Sequence, residues 1–331
     1  MGNKATPPRS FNTIRRSQTK VRAQRRRTQN VLLLAMFATV ALILVALLVL
    51  GGFAIVGAIV DANPPAQSQT PTPPASTNEI QFIQTTKAAA EIHKGTLILV
   101  NSSNRYVFPE YDNNLISIFD NMSKPSQSSI IYSPIYSTLK MNSEAFAALD
   151  EMMIENYEVT GDVIRIADAY RTLEEQEGKD LLPGYSDHHT GYCIAIRYYD
   201  GTPIEQNHWI YQNAHKYGFV VRYPEGKGNI TGVTNYTFCL RYVGVAHATY
   251  MYQNNLCLEE YLDLLKNSYS SAATRLTISA ADGFDYDVYY VAASDSEVTT
   301  IDVPTSDFAY TVSGDNRGGF IVTVKKPVPA A

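Results

Sequence analysis

The stretch that decides the fold is Ser-Asp-His-His-Thr-Gly-Tyr-Cys-Ile-Ala, which occupies residues 186–195. It leads from a polar segment with one glycine into an apolar run that predicts a β-strand over residues 192–198. Side chains two apart on a strand point the same way, so Cys193 and Ala195 share one face. His188 and Cys193 are residue types that bind zinc, whereas an alanine cannot coordinate a metal. The stretch therefore places metal-binding residue types beside a position that cannot hold a metal.

The surrounding residues 79–270 mix short strands with helices. Residues 95–100 are β-branched and apolar and predict a strand. Apolar residues at helical spacing predict a helix over residues 143–156, with Asn142 or Ser143 as its N-cap. Further strands are predicted over residues 163–167, 219–222 and 240–243, and further helices over residues 207–217 and 258–265. This mixture predicts an α+β domain, since the strands are too short and irregular for a doubly wound parallel sheet.

Residues 271–331 have a different sequence pattern, in which apolar and polar side chains alternate in several short runs. Such alternation predicts strands with one buried face. A turn-rich segment, residues 313–319, suits a hairpin between the last two runs. We predict a small C-terminal all-β module that packs on the main domain, although its tyrosines could alternatively bind sugar.

The N-terminal part indicates a membrane anchor. Residues 1–30 contain nine Lys and Arg residues and no acid, whereas the whole chain has a net charge of −5. Residues 31–60 are uncharged and rich in Leu, Val, Ala and Ile, which predicts one transmembrane helix. The preceding arginines predict a cytoplasmic N-terminus and extracytoplasmic C-terminal domains. Residues 61–78 are rich in Pro, Ser, Thr and Gln and predict an extended linker. We expect no binding to nucleic acid.

Several segments between residues 95 and 265 carry a family resemblance. Ser186, His188 and Gly191 fit the metal motif Ser-x-His-x-x-Gly-x-x-x-Asp. Segments before and after this motif also match a known family, and they occur in the same order as in that family. They are residues 94–101, 169–176, 209–219, 222–228, 230–232 and 241–247. With these segments, the region resembles the VanY-type zinc D-alanyl-D-alanine carboxypeptidases, which are relatives of the VanX dipeptidases. The resemblance implies a VanY/Hedgehog-like zinc D,D-peptidase fold.

The resemblance also implies which residues would carry the chemistry. The family binds zinc through the His and Asp of this motif and through a later His, and a Glu near that His is the general base. At the three ligand positions this chain has His188, Ala195 and Cys239, and Tyr236 stands at the position of the base. Only His188 therefore remains of the expected ligands. We expect no intact catalytic residue and no bound cofactor, although zinc is possible.

The cysteines leave three alternatives open. Cys193 points near the vacated ligand position, so His188, Cys193 and Cys239 could form an altered zinc site. The two cysteines could equally form a disulfide, or they could be buried thiols that act as small apolar fillers. Asp187 and Glu205 are conceivable replacements for the lost carboxylates, although their spacing does not recommend them.

The residues that hold the substrate in the family are retained. Arg171 and Ser186 match the Arg and the Ser that the family uses to bind the peptide and its carboxylate, and an Arg suits bidentate carboxylate binding. Alternatively, Arg171 pairs with Glu174 or Glu175, and Ser186 only starts a turn.

Three functions are compatible with these observations. In the first, the chain is a catalytically inactive relative anchored in the cell membrane, which binds a peptidoglycan stem peptide or an envelope protein. In the second, it is an active D,D-carboxypeptidase that trims cell-wall peptides with an altered metal site. In the third, it is a structural scaffold of the envelope.

Overall fold

The computed structural model describes residues 80–110, 114–123, 130–305 and 308–327. The predicted basic tail, membrane helix and linker, residues 1–30, 31–60 and 61–78, lie outside the described residues. Within the described ranges, no helix is both long enough and apolar enough to cross a membrane.

The described residues mix strands and helices, as predicted. The strands are β1 (Phe82–Ala88), β2 (Leu115–Ser117), β3 (Tyr132–Pro134), β4 (Lys140–Asn142), β5 (Ile164–Asp168), β6 (Cys193–Tyr198), β7 (Phe219–Val221), β8 (Cys239–Tyr242), β9 (Leu276–Ser279), β10 (Asp285–Ala292), β11 (Val298–Pro304), β12 (Ala309–Gly314) and β13 (Gly319–Lys325). The α-helices are α1 (Ile118–Asn121), α2 (Ser143–Thr160), α3 (Leu173–Gln176), α4 (Trp209–Asn213), α5 (Gly228–Thr231), α6 (Val245–Gln253) and α7 (Leu258–Ser268). Short 3₁₀ helices are Ala89–His93, Asp187–Thr190, Ala214–Tyr217 and Ala272–Thr274.

The central sheet has five strands in the order β3-β5-β6-β8-β7. The β3–β5 pair is parallel and the other pairs are antiparallel. A register shift between Ile166 and Asp168 interrupts the pairing of β5 with β6. Such an irregularity bends a strand and redirects the side chains beyond it. Here it lies where β5 leads toward Arg171.

The two faces of this sheet differ in character because side chains alternate along each strand. Ile164 and Ile166 on β5, Ile194 on β6 and Leu240 on β8 are fully buried in the main apolar core. The intervening side chains, including Cys193, Ala195 and Cys239, form a separate small cluster with Tyr223 on the other face. One face therefore carries the core, and the other is available for a site.

Helix α2 covers the core face. It starts as predicted, because the Asn142 side chain accepts a hydrogen bond from the Glu144 N–H at 2.9 Å, and it ends at Gly161 in a left-handed conformation. It therefore runs four residues beyond the predicted end at residue 156. Phe146, Leu149 and Met153 pack into the core.

The C-terminal strands form a second sheet in the order β12-β13-β10-β9, in which all pairs are antiparallel. Strand β11 pairs instead with β1, from the opposite end of the described chain. His247 on α6 forms two hydrogen bonds. Its Nδ1 lies 2.7 Å from the Tyr261 hydroxyl, and its Nε2 lies 3.0 Å from the Thr323 hydroxyl on β13. The strands beyond residue 270 thus contact the preceding helices, and the division at residues 270 and 271 stays a prediction.

The strand predicted over residues 95–100 is wrong. Residues 97–100 are buried, but the backbone groups of the segment bond to side chains and to a loop rather than to a neighbouring strand. The Leu97 N–H donates to Ser313 Oγ at 2.9 Å, and the Leu99 carbonyl accepts from Asn316 Nδ2 at 2.8 Å. Other carbonyls of the segment accept from two arginines. An apolar run indicates burial, but it does not specify which partners satisfy the backbone.

Those two arginines belong to a buried ion network centred on Asp187. Arg222 and Arg241 each donate to a different oxygen of the Asp187 carboxylate, and all three side chains are fully buried. Arg222 also donates to Glu259 on α7 at 2.8 and 3.0 Å. Other donors of the two arginines reach the carbonyls of residues 96, 98, 100 and 242. The network therefore joins the motif at residues 186–191 to strand β8, helix α7 and the segment 95–100.

Loss of the central carboxylate should destabilise the protein strongly. An Asp187→Ala variant leaves two buried guanidinium groups with uncompensated charge, so we expect its free energy of unfolding to fall by about 3–5 kcal/mol. The matched control is Asp263→Ala, which removes a half-exposed carboxylate from a surface ion pair with Arg317 and should have little effect. Urea denaturation followed by circular dichroism measures both. Equal losses in the two variants would contradict the central role of Asp187.

Candidate functional site

The motif at residues 186–191 folds as a tight turn that delivers His188 to the site. Ser186 caps the 3₁₀ helix Asp187–Thr190 by accepting the His188 N–H at 3.3 Å. Gly191 ends it with φ of 74°, and a Cβ there would lie 2.7 Å from Leu115 Cδ2. Both the backbone conformation and the lack of space favour glycine. The motif thus has a structural reason for its Ser and its Gly.

An open groove of about 360 Å³ lies on the face of the central sheet opposite the core. The residues that the sequence singled out along this groove are Arg171, Ser186, His188, Ala195, Tyr236 and Cys239. Cys193 is fully buried beside them. The structure therefore brings all the predicted site residues to one place.

His188 is held in a defined orientation. Its Nδ1 donates to the Ala169 carbonyl at 2.6 Å, which leaves Nε2 directed toward Cys239. A histidine that binds zinc typically makes such a hydrogen bond through its other ring nitrogen. The orientation of His188 therefore suits a metal ligand, whether or not a metal binds.

Cys193 and Cys239 are free thiols that hydrogen-bond to each other. The hydrogen bond from Cys193, followed by that from His188, lowers the pKa of Cys239 to about 6. The same bond and burial raise the pKa of Cys193 well above its ordinary value. Near neutral pH the pair thus favours a thiolate at Cys239.

The potential ligand atoms of His188, Cys193 and Cys239 lie within 4.8 Å of one another. One imidazole nitrogen and two sulfurs form a donor set that zinc accepts, and the acidity of Cys239 suits a thiolate ligand. These three residues would hold the ion. When bound, zinc polarises a carbonyl or lowers the pKa of a bound water. The residues present therefore fit zinc, although two of the three differ from those that the family resemblance implies.

Arg171 is fixed at the groove by an ion pair. Its Nε and Nη2 donate to Asp168, and its Nη1 donates to Gln176 at 2.8 Å. Burial alone would raise the pKa of Asp168, but the hydrogen bond from Arg171 helps hold that pKa below its usual value. The partners proposed from the sequence, Glu174 and Glu175, are not the ones that Arg171 binds. Asp168 stands three residues before Arg171, which is a signal that the sequence contained.

Asp187 and Glu205, the acids considered as replacements in the site, do not reach the groove. Asp187 is fully buried and bound by two arginines. Glu205 is exposed, and its carboxylate accepts the Tyr198 hydroxyl at 2.5 Å. Neither side chain lines the groove.

His189 follows His188 in the turn, and a polar residue there predicts a surface or groove position. It is fully buried, and burial lowers its pKa. Its Nδ1 donates to the Arg171 carbonyl at 2.8 Å, and its Nε2 accepts the Gly184 N–H at 2.9 Å. His189 therefore ties the backbone of Arg171 to the loop at the edge of the groove.

Comparisons with known proteins agree with this architecture. The family model for D-alanyl-D-alanine carboxypeptidase, VanY, matches residues 177–245. A D-alanyl-D-alanine carboxypeptidase of Enterococcus faecium is 34% identical over 248 residues, which cover 71% of this chain and 76% of that protein. The crystal structure of the vancomycin resistance D,D-dipeptidase VanXYg, in complex with a D-Ala-D-Ala phosphinate analogue, aligns with a TM-score of 0.62 and 26% identity. That alignment covers 74% of this chain and 100% of the other.

A further solved structure, a mutant of the D,D-pentapeptidase VanY in complex with Zn(II), is 27% identical, with a TM-score of 0.40 over 50% of this chain and 98% of the other. The coverage and identity of the Enterococcus faecium protein identify the family. This chain belongs to the VanY-type D-alanyl-D-alanine carboxypeptidases.

Proposed function

We propose that the groove binds the carboxyl-terminal D-Ala-D-Ala end of a peptidoglycan stem peptide and does not hydrolyse it. The observation that carries this proposal is the combination of a fixed Arg171 and Ser186 with a phenol, Tyr236, at the position of the base. The groove keeps a cation for a carboxylate, whereas the group that would accept a proton is gone.

The setting of Arg171 supports recognition of a carboxylate. Asp168 and Gln176 hold its guanidinium plane still, so little conformational entropy is lost when a ligand binds. Arg171 retains N–H groups that these two partners do not use. A planar guanidinium binds a carboxylate through paired hydrogen bonds. The Ser186 hydroxyl faces the same groove and adds a donor.

The lack of a suitable base supports the absence of hydrolysis. Amide hydrolysis needs a group that takes a proton from water and delivers it to the leaving amine. Among the described residues, the carboxylates that line the groove are Asp168 and Asp180. Asp168 is bound to Arg171, which stabilises its ionised form. Asp180 is exposed, and within the described ranges no contact ties it to His188.

Peptide binding should depend on Arg171. We expect an N-acetyl tripeptide that ends in D-Ala-D-Ala to bind the purified protein, and Arg171→Ala to weaken binding at least tenfold, because a charge-assisted hydrogen-bond pair is lost. Isothermal titration calorimetry measures both affinities. Arg317→Ala, which breaks an ion pair with Asp263 away from the groove lining, is the control and should bind normally. No binding to the unmodified protein would instead favour a scaffold or a protein partner.

A second candidate function is an active carboxypeptidase with an altered metal site. The grouping of His188, Cys193 and Cys239 favours this alternative. Its residues would hold zinc as described above, and Arg171 would orient the peptide. Under this alternative the missing base would have to be supplied by the ligand or by solvent.

Metal analysis and a hydrolysis assay together separate the two candidates. We expect less than one tenth of an equivalent of D-Ala to be released from a pentapeptide by one equivalent of protein after overnight incubation with zinc. Metal content by mass spectrometry and D-Ala by a coupled oxidase assay provide the two readouts. Steady turnover that is lost in Cys239→Ser would overturn the non-catalytic proposal. Bound zinc without turnover would leave the groove as a metal-containing binding site.

We also propose that a helix within residues 31–60 anchors the chain in the cell membrane, with the groove on the outer side. Support comes from the uncharged length of that segment and the arginines that precede it. Expression of the full chain followed by membrane fractionation should place it in the pellet, resistant to carbonate. Deletion of residues 31–60 should move it to the supernatant. A soluble full chain would contradict the anchor.

A further inference from the structure

Two arginines face each other on the groove side of the central sheet. Arg165 on β5 and Arg197 on β6 are directly opposite in the antiparallel register. Arg197 lines the groove together with Ala195, which precedes it by two residues on the same face. Arg165 stands two residues before Ala167, which also lines the groove. Arg197 is therefore part of the groove lining, and Arg165 lies directly beside it on the neighbouring strand, next to the lining.

Neither arginine has a carboxylate partner among the described residues. The Arg165 guanidinium stacks on the Tyr199 ring at 4.4 Å, and its buried Nε makes no hydrogen bond. The Arg197 guanidinium stacks on the Phe238 ring at 4.8 Å. Stacking occupies the face of a guanidinium group and leaves the N–H groups at its edge available to an anion.

The arrangement is unfavourable for the sheet by itself. Like charges directly opposite each other across two strands destabilise the pair. Elsewhere in the site the chain does pair its arginines, since Arg171 binds Asp168, and Arg222 and Arg241 bind Asp187. Arg165 and Arg197 face each other at the groove without a carboxylate partner among the described residues. An anion from outside the chain would reduce the repulsion between them.

We propose that Arg165 and Arg197 form a second anion subsite, which binds a carboxylate carried by the peptide upstream of its terminal carboxylate. This inference rests on the proposed function, because Arg171 and Ser186 would hold the terminal carboxylate. It specifies the ligand as a peptide with two acidic groups rather than one.

The spacing along the strand sets where the second acid should lie. Two residues of a strand span about 7 Å, so Arg197 lies about 7 Å from Ala195 and about 13 Å from Cys193 along β6. An extended peptide advances about 3.3 Å per residue. Ala195 lines the groove together with Arg171 and Ser186, so a terminal residue beside it places the second carboxylate about two residues upstream, on the third residue from the carboxyl terminus. The fourth residue is tested as the next position along the peptide.

The test compares peptides that differ only in this charge. Four N-acetylated peptides are used: Glu-D-Ala-D-Ala, Gln-D-Ala-D-Ala, Glu-Ala-D-Ala-D-Ala and Gln-Ala-D-Ala-D-Ala. In titration calorimetry at low salt, we expect at least one acidic peptide to bind about tenfold more tightly than its neutral counterpart. The ratio should shrink as salt is added, because the groove is open to solvent.

The variants Arg197→Gln and Arg165→Gln should bring that ratio close to one, whereas Arg317→Gln should leave it unchanged. The melting temperature shows whether Arg197 is needed for stability. We expect Arg197→Gln to melt no lower than the unmodified protein, because the substitution removes a charge repulsion. If Arg165→Gln fails to fold, Arg197→Gln decides alone.

Two results overturn the inference while the proposed function stands: equal affinities for acidic and neutral peptides, or an acidic preference that persists in Arg197→Gln. Failure of all four peptides to bind overturns the proposed function itself, and the subsite with it.

Discussion

One buried carboxylate, that of Asp187, holds the site in shape. Taking ions out of water costs several kcal/mol each, and that cost is offset only when every charge and donor finds a partner. Asp187 meets this condition by accepting from both Arg222 and Arg241. Glu259 and four backbone carbonyls accept from the other donors of the two arginines. The turn that carries His188 is thereby fixed to four separate parts of the chain. The position of His188 depends on a neighbour that never reaches the groove.

The alternation of side chains along β6 and β8 separates stability from chemistry. Ile194, Ile196 and Leu240 fill the core, whereas Cys193, Ala195 and Cys239 lie on the opposite face. A substitution at one of the latter positions changes the donor set without removing apolar area from the main core. This separation is compatible with a retained VanY-type fold in which Ala195 and Cys239 stand at two of the ligand positions that the family resemblance implies.

The sequence predicted the parts that depend on local pattern. Strands β5, β6 and β8 follow from periodicity, as does helix α2 with its cap at Asn142, although the end of α2 before Gly161 was predicted four residues too early. The pairing of β1 with β11 could not be predicted, because it joins segments more than 200 residues apart and neither has a unique complement. The segment 95–100 looked like a strand because burial and strand pairing give the same apolar pattern. Only the structure showed that arginine side chains satisfy its carbonyls.

The sequence predicted which residues lie at the site, but it did not predict the hydrogen-bond and ion-pair partners of those residues. Family motifs located Arg171, Ser186 and His188, and the strand period placed Cys193 beside the vacated ligand position. The charges were harder to assign, since an arginine can pair with any acid nearby. Arg171, for example, binds Asp168 rather than Glu174 or Glu175. Such choices depend on the bulge after Ile166 and on the turn at Gly191, whose geometry the sequence does not specify.

The substitutions in the groove point in one electrostatic direction. The family resemblance implies an aspartate at the position of Ala195 and a glutamate at that of Tyr236, so each of these residues would stand where a negative charge is expected. Arg197, two residues after Ala195 on the same face, places a positive charge in the groove lining. Rate enhancement requires interactions that strengthen in the transition state, whereas a fixed cation binds a ground-state carboxylate equally well before and after any reaction. We therefore propose recognition of an anionic peptide end rather than its cleavage, because Arg171 and Arg197 line the groove and Asp168, one of its two lining acids, is bound to Arg171.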